Sequence, residues 1–216
     1  MVIYCDGADL ETMKKLSSNP VIEGWTTNPS LMKKAGIKKY RDFAKTVLGI
    51  IGDKPVSFEV LADDWETMVI QAYEIASWGE NVWVKIPIMN TKGESSIDLI
   101  DELQDLRLNI TAVMTASQFI YLQTVNRSHH IISVFAGRIA DAGRSPPRIP
   151  SMFRAKLLWA STRQTADIDE AEMKGYDIIT MTPDLIAKLP LRGKDLHEYS
   201  LETVKQFHED GKGIDW

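Results

Sequence analysis

Cysteine is nearly absent from this chain of 216 residues, in which Cys5 is the only example. A single thiol cannot build an intramolecular disulfide framework, and it offers no cysteine cluster for a metal. This composition is typical of proteins kept in a reducing compartment. We therefore expect a cytoplasmic protein that carries no metal and no cofactor.

Long apolar runs and a surplus of positive charge are missing as well. No stretch approaches the roughly 20 apolar residues of a membrane span, and the first residues turn acidic at Asp6, too early for a signal peptide. The net charge of −5 argues against nucleic-acid binding through a general basic field. We expect neither membranes nor nucleic acids as partners, although a local cationic pocket for a phosphorylated metabolite is compatible with this charge.

Short apolar segments with strand character recur along the chain and alternate with amphipathic helical segments. This alternation predicts parallel strands joined by right-handed helical crossovers. A doubly wound open sheet is disfavoured because no glycine-rich turn follows the first strand, where residues 6–9 read DGAD. Eight such units instead predict a (β/α)8 TIM barrel. The strand candidates are 2–6, 24–28, 55–61, 82–88, 109–114, 131–136, 155–161 and 176–182.

No interior segment is low in complexity or linker-like, so we expect a single domain over residues 1–216. The proline-rich passage 143–150 is expected to connect the sixth strand to a helix. The segment 200–213 predicts an additional C-terminal helix with Leu201 and Phe207 on one apolar face, together with Val204. With eight units already counted, that face packs either on its own barrel or on a neighbouring subunit.

Lys85 is the only lysine in the apolar run from Val82 to Ile88, which is typical of a strand buried on both faces. Desolvating an ammonium is costly, so a buried lysine pairs with an acid or loses its proton. Because a neutral amine attacks carbonyl groups, Lys85 is a candidate for Schiff-base chemistry. A structural, salt-bridged lysine is the alternative, and this run alone favours it.

Polar residues also end the other predicted strands, and the carboxyl ends of barrel strands line the active site. Each has a structural explanation when taken alone, as Asp6 can cap a helix. Two carboxylates and a lysine at the ends of three strands are harder to explain, because burying unneeded charge is costly. We therefore predict one site from the strand-end residues Asp6, Thr26, Thr27, Asn28, Glu59, Lys85, Asn109, Thr111, Ser133, Ser161, Thr180 and Thr182.

These side chains suit cleavage of a carbon–carbon bond next to a ketone. Lys85 would form an iminium, which acts as an electron sink for the bond that breaks. Asp6 is a candidate base for the hydroxyl proton that is lost during cleavage. Glu59 can move protons during imine formation, through a water molecule held by Thr111.

The remaining residues suit binding of the substrate. Asn28 and Ser133 can orient substrate hydroxyls. Arg138 follows the sixth strand, and Arg163 with Ser161 follows the seventh, where such barrels often hold a phosphate. A solvated surface position is an equally good explanation for either arginine taken alone.

Five segments resemble the motifs of the transaldolase family in order and spacing, and together they cover nearly the whole chain. The resemblance implies a (β/α)8 barrel with a Schiff-base lysine on the fourth strand. It also implies transfer of a dihydroxyacetone unit from a ketose phosphate, such as fructose 6-phosphate or sedoheptulose 7-phosphate, to an aldose phosphate. The segments are TTNPSL (26–31), VKIP (84–87), NIT (109–111), SVFAGRI (133–139) and ASTR (160–163).

The same resemblance implies roles for individual residues. Lys85 would form the Schiff base, Asp6 would act as acid and base, and Glu59 with Thr111 would hold a catalytic water. Substrate ligands would include Asn28. The other expected substrate-binding residues are Thr26, Ser133, Phe135, Arg138, Ser161 and Arg163, of which Arg138, Ser161 and Arg163 would grip the phosphate.

The chain looks like the short subfamily, which also contains fructose-6-phosphate aldolases. Those aldolases have Gln where this chain has Glu59 and Tyr where it has Phe135, so transaldolase is favoured over an aldolase that releases free dihydroxyacetone. Gly7, Asp9 and Val134, with Ala136, depart from the usual pattern and leave the sugar open. An alternative of another class is a barrel that binds a sugar phosphate without catalysis. The short transaldolases form pentameric rings, often paired into decamers, so we expect a homo-oligomer.

Overall fold

Eight parallel strands form a closed barrel in the computed structural model, which describes residues 1–148 and 153–214. Each strand pairs with the next along the chain, and the eighth closes the ring by pairing with the first. The predicted (β/α)8 barrel is confirmed, and every strand candidate overlaps an observed strand. The strands are β1 (Val2–Asp6), β2 (Gly24–Thr26), β3 (Val56–Glu59), β4 (Val82–Pro87), β5 (Leu108–Val113), β6 (Ile131–Val134), β7 (Lys156–Trp159) and β8 (Ile178–Met181).

Ten α-helices accompany the strands in the described part of the chain. Two helices instead of one lie between β2 and β3, and a short helix follows β8. None of the helices in the described ranges has the length and apolar character needed to cross a membrane. The helices are α1 (Leu10–Leu16), α2 (Pro29–Lys34), α3 (Tyr40–Ile51), α4 (Trp65–Ala76), α5 (Ile97–Glu102), α6 (Ala116–Leu122), α7 (Ala136–Asp141), α8 (Asp167–Met173), α9 (Pro183–Ile186) and α10 (Leu196–Asp210).

Several strands end earlier than their apolar pattern predicts because a helix begins directly after them. Asn28, predicted at the end of the second strand, instead caps α2, where its Oδ1 accepts a 3.0 Å hydrogen bond from the Leu31 amide. Likewise, Asp9 Oδ1 accepts a 2.8 Å bond from the Thr12 amide at the start of α1. These caps place polar side chains at the carboxyl ends of the strands.

Apolar side chains fill the barrel interior below its carboxyl end. The buried set consists of Tyr4, Ile131, Leu158, Ala160 and Ile178. Tyr4 fits because its neighbour on β2 is Gly24, where a Cβ would lie 2.4 Å from a ring carbon. A second, larger core lies between the strands and the surrounding helices. The inner set closes the barrel, so polar groups at the carboxyl ends face an open cavity above an apolar floor.

The proline-rich passage 143–150 lies elsewhere than predicted. Helix α7 begins at Ala136, close behind β6, and residues 143–148 follow the end of α7 on the way to β7. The remainder of the passage falls outside the described residues. The sequence misled here because α7 is short, and its first residues continue the apolar pattern of the strand. The passage therefore approaches the amino end of β7, away from the carboxyl ends.

The predicted C-terminal helix is present as α10, but its apolar face is not covered by the barrel. No residue of α10 is buried. The exposed fractions of Leu201, Val204 and Phe207 are 50%, 60% and 68%. Within the described residues, the chain's own barrel therefore does not bury the apolar face of α10.

Candidate active site

A cavity of about 470 Å³ opens at the carboxyl ends of the strands. Ten of the eleven residues to which the family resemblance gave a role line it, and Arg163 does not. The barrel explains this convergence, because parallel strands bring their carboxyl ends to one rim. Those ten are Asp6, Thr26, Asn28, Glu59, Lys85, Thr111, Ser133, Phe135, Arg138 and Ser161.

Lys85 lies on β4 at the inner wall of this cavity, and only 5% of it is exposed. Its Nζ is 2.9 Å from Glu59 Oε2 on the neighbouring strand β3. The same Nζ donates a 2.9 Å hydrogen bond to the carbonyl oxygen of Thr27. The ion pair that the structural alternative requires is thus present. It lies on the cavity wall, where a ligand can reach it, and not inside a closed core.

Asp6 is the second carboxylate of the cavity, at the end of β1. Thr26 Oγ1 donates a 2.8 Å hydrogen bond to Asp6 Oδ1, and the Thr26 and Thr180 hydroxyl oxygens are 2.6 Å apart. Burial raises the pKa of Asp6 above its usual value, and the charge of Glu59 adds to this increase. The charge of Lys85 and the Thr26 hydrogen bond oppose it only in part. A carboxyl group with a raised pKa suits proton transfer.

Ser133 and Thr111 present hydroxyl groups from two adjacent strands. Ser133 Oγ donates a 2.6 Å hydrogen bond to Asn109 Oδ1, and Asn109 Nδ2 donates a 3.0 Å bond to Ser57 Oγ. This buried chain fixes Ser133. By contrast, Thr111 Oγ1 is buried and has no hydrogen-bond partner among the described residues. Because an unpaired buried hydroxyl is costly, Thr111 is suited to a bound water or substrate oxygen.

Two residues without a glycine's freedom adopt left-handed backbone conformations at this cavity. Ala112 and Ser161 both have φ of 62°. Ala112 lies in an irregularity of β5, where the pairing with β6 shifts between Ile110 and Val113. Such conformations cost of order 1–3 kcal/mol each and cluster at functional sites. No sequence pattern marks either position, since neither residue type prefers positive φ.

Helix α7 forms the side of the cavity that carries Arg138. The guanidinium carbon of Arg138 lies 5.2 Å from the centroid of the Phe135 ring. The adjacent Gly137 is packed so tightly that a Cβ would lie 1.7 Å from the carbonyl oxygen of Ser161. Glycine therefore lets α7 approach the end of β7, which brings Arg138 and Ser161 to the same side of the cavity.

Comparison with known proteins identifies the family of this chain. A family model described as transaldolase/fructose-6-phosphate aldolase matches residues 3–215. The chain belongs to this family. A relative described as a probable transaldolase, from Streptococcus equi subsp. zooepidemicus, is 31% identical and covers 97% of both chains. Another probable transaldolase, from Methanococcus maripaludis, is 33% identical over 88% of this chain and 89% of its own.

A solved structure from outside these relatives shares the fold. The type I 3-dehydroquinate dehydratase of Clostridium difficile superposes with a TM-score of 0.55 at 11% identity, covering 83% of each chain. At this identity the likeness concerns the barrel alone. Among the described residues, no three His, Cys, Asp or Glu side chains are grouped as metal ligands would be.

Arg163 differs from the other residues that the transaldolase resemblance assigned to the phosphate. Its Nε is 3.1 Å from both carboxylate oxygens of Asp141, at the end of α7, and its Nη2 also pairs with that carboxylate. The hydrogen bond from Arg163 lowers the pKa of Asp141 below its usual value. Arg163 therefore links α7 to the loop after β7, whereas Arg138 remains directed to the cavity.

Other cavity residues were not assigned to the site from the sequence. They include Leu31 and Ala112, and Leu158 and Ala160 of the apolar floor. Of the further strand-end residues predicted for the site, Thr180 lines the cavity beside Thr26, whereas Thr27, Asn109 and Thr182 do not line it. An apolar residue at the rim resembles any core residue in the sequence, so no local signal could have found Leu31 or Leu158.

Proposed function

We propose that this transaldolase-family protein transfers a dihydroxyacetone unit from a ketose phosphate to an aldose phosphate through a Schiff base on Lys85. The observation that carries this proposal is the Lys85 amine on a cavity wall, 2.9 Å from a carboxylate of Glu59. The second carboxylate, Asp6, lines the same cavity. A nucleophile and two proton-transfer groups are therefore available to one bound substrate.

Imine formation begins with proton transfer from the Lys85 ammonium to Glu59, over a hydrogen-bonded distance. The free amine adds to the C2 carbonyl of the ketose, and the resulting carbinolamine loses water as Glu59 returns a proton. The Thr111 hydroxyl, which has no hydrogen-bond partner within the described ranges, can hold the water molecule that relays these protons. The product of this stage is an iminium on Lys85.

Transfer then requires cleavage and renewed bond formation. Asp6 accepts the proton of the C4 hydroxyl as the bond between C3 and C4 breaks. The electron pair of that bond moves into the iminium and gives an enamine. The aldehyde product leaves. The enamine attacks the aldehyde of the acceptor, Asp6 returns its proton to the new hydroxyl, and water releases the product from Lys85.

The experiment that tests transfer is turnover of fructose 6-phosphate with and without erythrose 4-phosphate. We expect sustained formation of sedoheptulose 7-phosphate and glyceraldehyde 3-phosphate only when the acceptor is present. Glu59 and Phe135 support this outcome, because both match the transaldolase pattern and differ from the Gln and Tyr of the aldolases. Rapid release of dihydroxyacetone without acceptor would instead make the protein an aldolase, with the same covalent chemistry.

Arg138→Ala should raise KM for phosphorylated sugars at least about ten-fold, since a charge-assisted hydrogen bond contributes roughly 1.5–3 kcal/mol. Turnover of unphosphorylated dihydroxyacetone as donor should change little. Arg163→Ala is the comparison. Its effect on KM should be smaller, because the Asp141 carboxylate already pairs with that guanidinium. Binding of the phosphate by Arg163 remains a prediction. Steady-state kinetics with both donors would test this, and an equal loss for both donors would indicate that Arg138 supports the fold.

We also propose a homo-oligomer, a pentamer or a decamer as the resemblance implies, in which α10 packs on a neighbouring subunit. The support is its uncovered stripe, because burying each large apolar side chain gains roughly 1.5–3 kcal/mol. Val204→Glu with Phe207→Glu should reduce the mass measured by light scattering to that of smaller species, and Lys205→Glu should leave it unchanged. A monodisperse monomer of the unaltered chain would refute the assembly.

A further inference from the structure

Strand β2 stops short of the carboxyl end of the neighbouring strand β3. The last residue of β3 therefore lacks backbone hydrogen-bond partners on the β2 side. The β2–β3 ladder includes bonds from the Trp25 amide to the Pro55 carbonyl, 2.8 Å, and from the Thr27 amide to the Ser57 carbonyl, 3.2 Å. In a parallel ladder the next two bonds would run from the Glu59 amide to Thr27, and from residue 29 to the Glu59 carbonyl. Residue 29 is proline, which has no N–H to donate.

The other side of β3 cannot supply these partners. There the Val60 amide donates to the Lys85 carbonyl at 3.1 Å, so Lys85 on β4 pairs with the residues before and after Glu59. The alternation of a parallel ladder therefore points the Glu59 amide and carbonyl toward β2. Both groups need partners, because unpaired backbone groups away from water are costly.

The hydroxyl group of Tyr40 satisfies both of them. It accepts a 2.7 Å hydrogen bond from the Glu59 amide and donates a 3.0 Å bond to the Glu59 carbonyl. Tyr40 is the first residue of α3, and its ring stands edge-on to Phe58 and Trp78, with centroids 6.1 and 5.2 Å away. These contacts restrict the ring, and burial raises the pKa of the hydroxyl far above its usual value, so it keeps the proton that it donates.

The substitution of a side chain for the ladder has a consequence for Lys85. The Thr27 carbonyl, which would otherwise accept from the Glu59 amide, instead accepts the 2.9 Å hydrogen bond from Lys85 Nζ. The other partner of Nζ is the Glu59 carboxylate. Tyr40 thus fixes the backbone that carries Glu59, and it also leaves Thr27 available to orient the amine.

We propose that Tyr40 is a positioning residue of the active site, whose hydroxyl replaces the ladder that β2 no longer supplies and holds Glu59 and Lys85 in their reactive arrangement. The catalytic part of this inference rests on the proposed Schiff-base function. Tyr40 does not line the cavity. Its effect is therefore expected on the chemical step and not on binding of the substrate phosphate.

The test is Tyr40→Phe, which removes one oxygen atom and keeps the ring. The rate of imine formation, measured by borohydride trapping of fructose 6-phosphate on Lys85, should fall about 10- to 100-fold, the loss typical of a displacement near 1 Å. The values of kcat and kcat/KM for the phosphorylated donor should fall equally, which leaves KM unchanged, because the lost contact acts on the chemical step. Hydrogen exchange at the Glu59 amide should accelerate. Tyr73→Phe, at an exposed position of α4, is the matched control and should change none of these values.

The outcomes separate this inference from the proposed function. If the unaltered protein forms the adduct and Tyr40→Phe forms it at the same rate, Tyr40 has no positioning role while the Schiff-base function stands. Unchanged exchange at the Glu59 amide overturns the inference whatever the activity. If the unaltered protein forms no adduct, the proposed function and the catalytic role of Tyr40 both fail. Faster exchange at the Glu59 amide in Tyr40→Phe would then show only that Tyr40 supports the backbone of Glu59.

Discussion

Replacing Lys85 with arginine should abolish both turnover and covalent trapping of the donor sugar. A guanidinium stays protonated at any pH at which the protein is folded, so it cannot attack a carbonyl. It does keep a positive charge opposite Glu59, whose carboxylate is 2.9 Å from the lysine amine. Lys85→Arg therefore removes the nucleophile while preserving a cation for the pair, whereas Lys85→Met would also leave Glu59 without a partner.

The measurement is mass spectrometry of the protein after borohydride reduction in the presence of fructose 6-phosphate. The unaltered protein should carry the donor fragment on the peptide that contains Lys85. Lys54→Met is the control, because Lys54 is also partly buried, with its amine bonded to the Ser17 and Asn19 carbonyls. Trapping at a different lysine would reject the assignment. No adduct at all would favour a barrel that binds sugar phosphates without catalysis.

Most of the barrel could be predicted because its strands are short apolar runs separated by amphipathic helices. The period of hydrophobicity distinguishes the two kinds of element, and alternation dictates parallel pairing. The ends of the strands were less predictable. At Asn28 the strand pattern continues into a residue that caps a helix. At Ala136 a helix with small first residues follows β6, with no polar residue between them. Local pattern cannot mark such a boundary.

The candidate site could be assembled from the sequence for a topological reason. A parallel barrel brings the last residue of every strand to one rim, so polar residues that are far apart in the chain were expected to meet. What escaped prediction depends on contacts between separate elements. The pairing of Arg163 with Asp141 requires the end of α7 to lie beside the loop after β7. The Tyr40 contact with Glu59 joins residues 19 positions apart, and only Pro29, which ends the β2 ladder, hinted that a substitute was needed.

The two carboxylates should fail at different steps when each is removed. Asp6→Ala should still allow imine to form on Lys85 but lose cleavage of the carbon–carbon bond, because no base accepts the hydroxyl proton. Glu59→Ala should slow imine formation itself. Loss of a general acid or base typically costs about 10²- to 10⁴-fold in rate. Single-turnover trapping reports imine formation, and release of the aldehyde product reports cleavage.

The raised pKa of Asp6 also predicts how the stability of the folded protein depends on pH, without any substrate. Its pKa is raised in the folded state by burial, so the folded protein binds this proton more tightly than the unfolded chain does. The stability contributed by the protonated group is complete below the unfolded pKa of about 4 and is lost as pH rises through the folded value. Above the unfolded pKa, Asp6 therefore destabilises the folded state relative to low pH, and Asp6→Asn removes this effect.

We accordingly expect Asp6→Asn to be inactive and yet, relative to the unaltered protein, more stable at about pH 7 than at about pH 4. Denaturant unfolding at both values would measure the difference. Asp184→Asn is a control, since Asp184 is an exposed carboxylate in the first turn of α9. If Asp6→Ala and Glu59→Ala both keep activity within a few-fold of the unaltered protein, the two carboxylates are structural. An active Asp6→Asn with no change in the pH dependence of stability would also show that Asp6 titrates as an ordinary surface carboxylate, and its assignment as the proton acceptor would then be wrong.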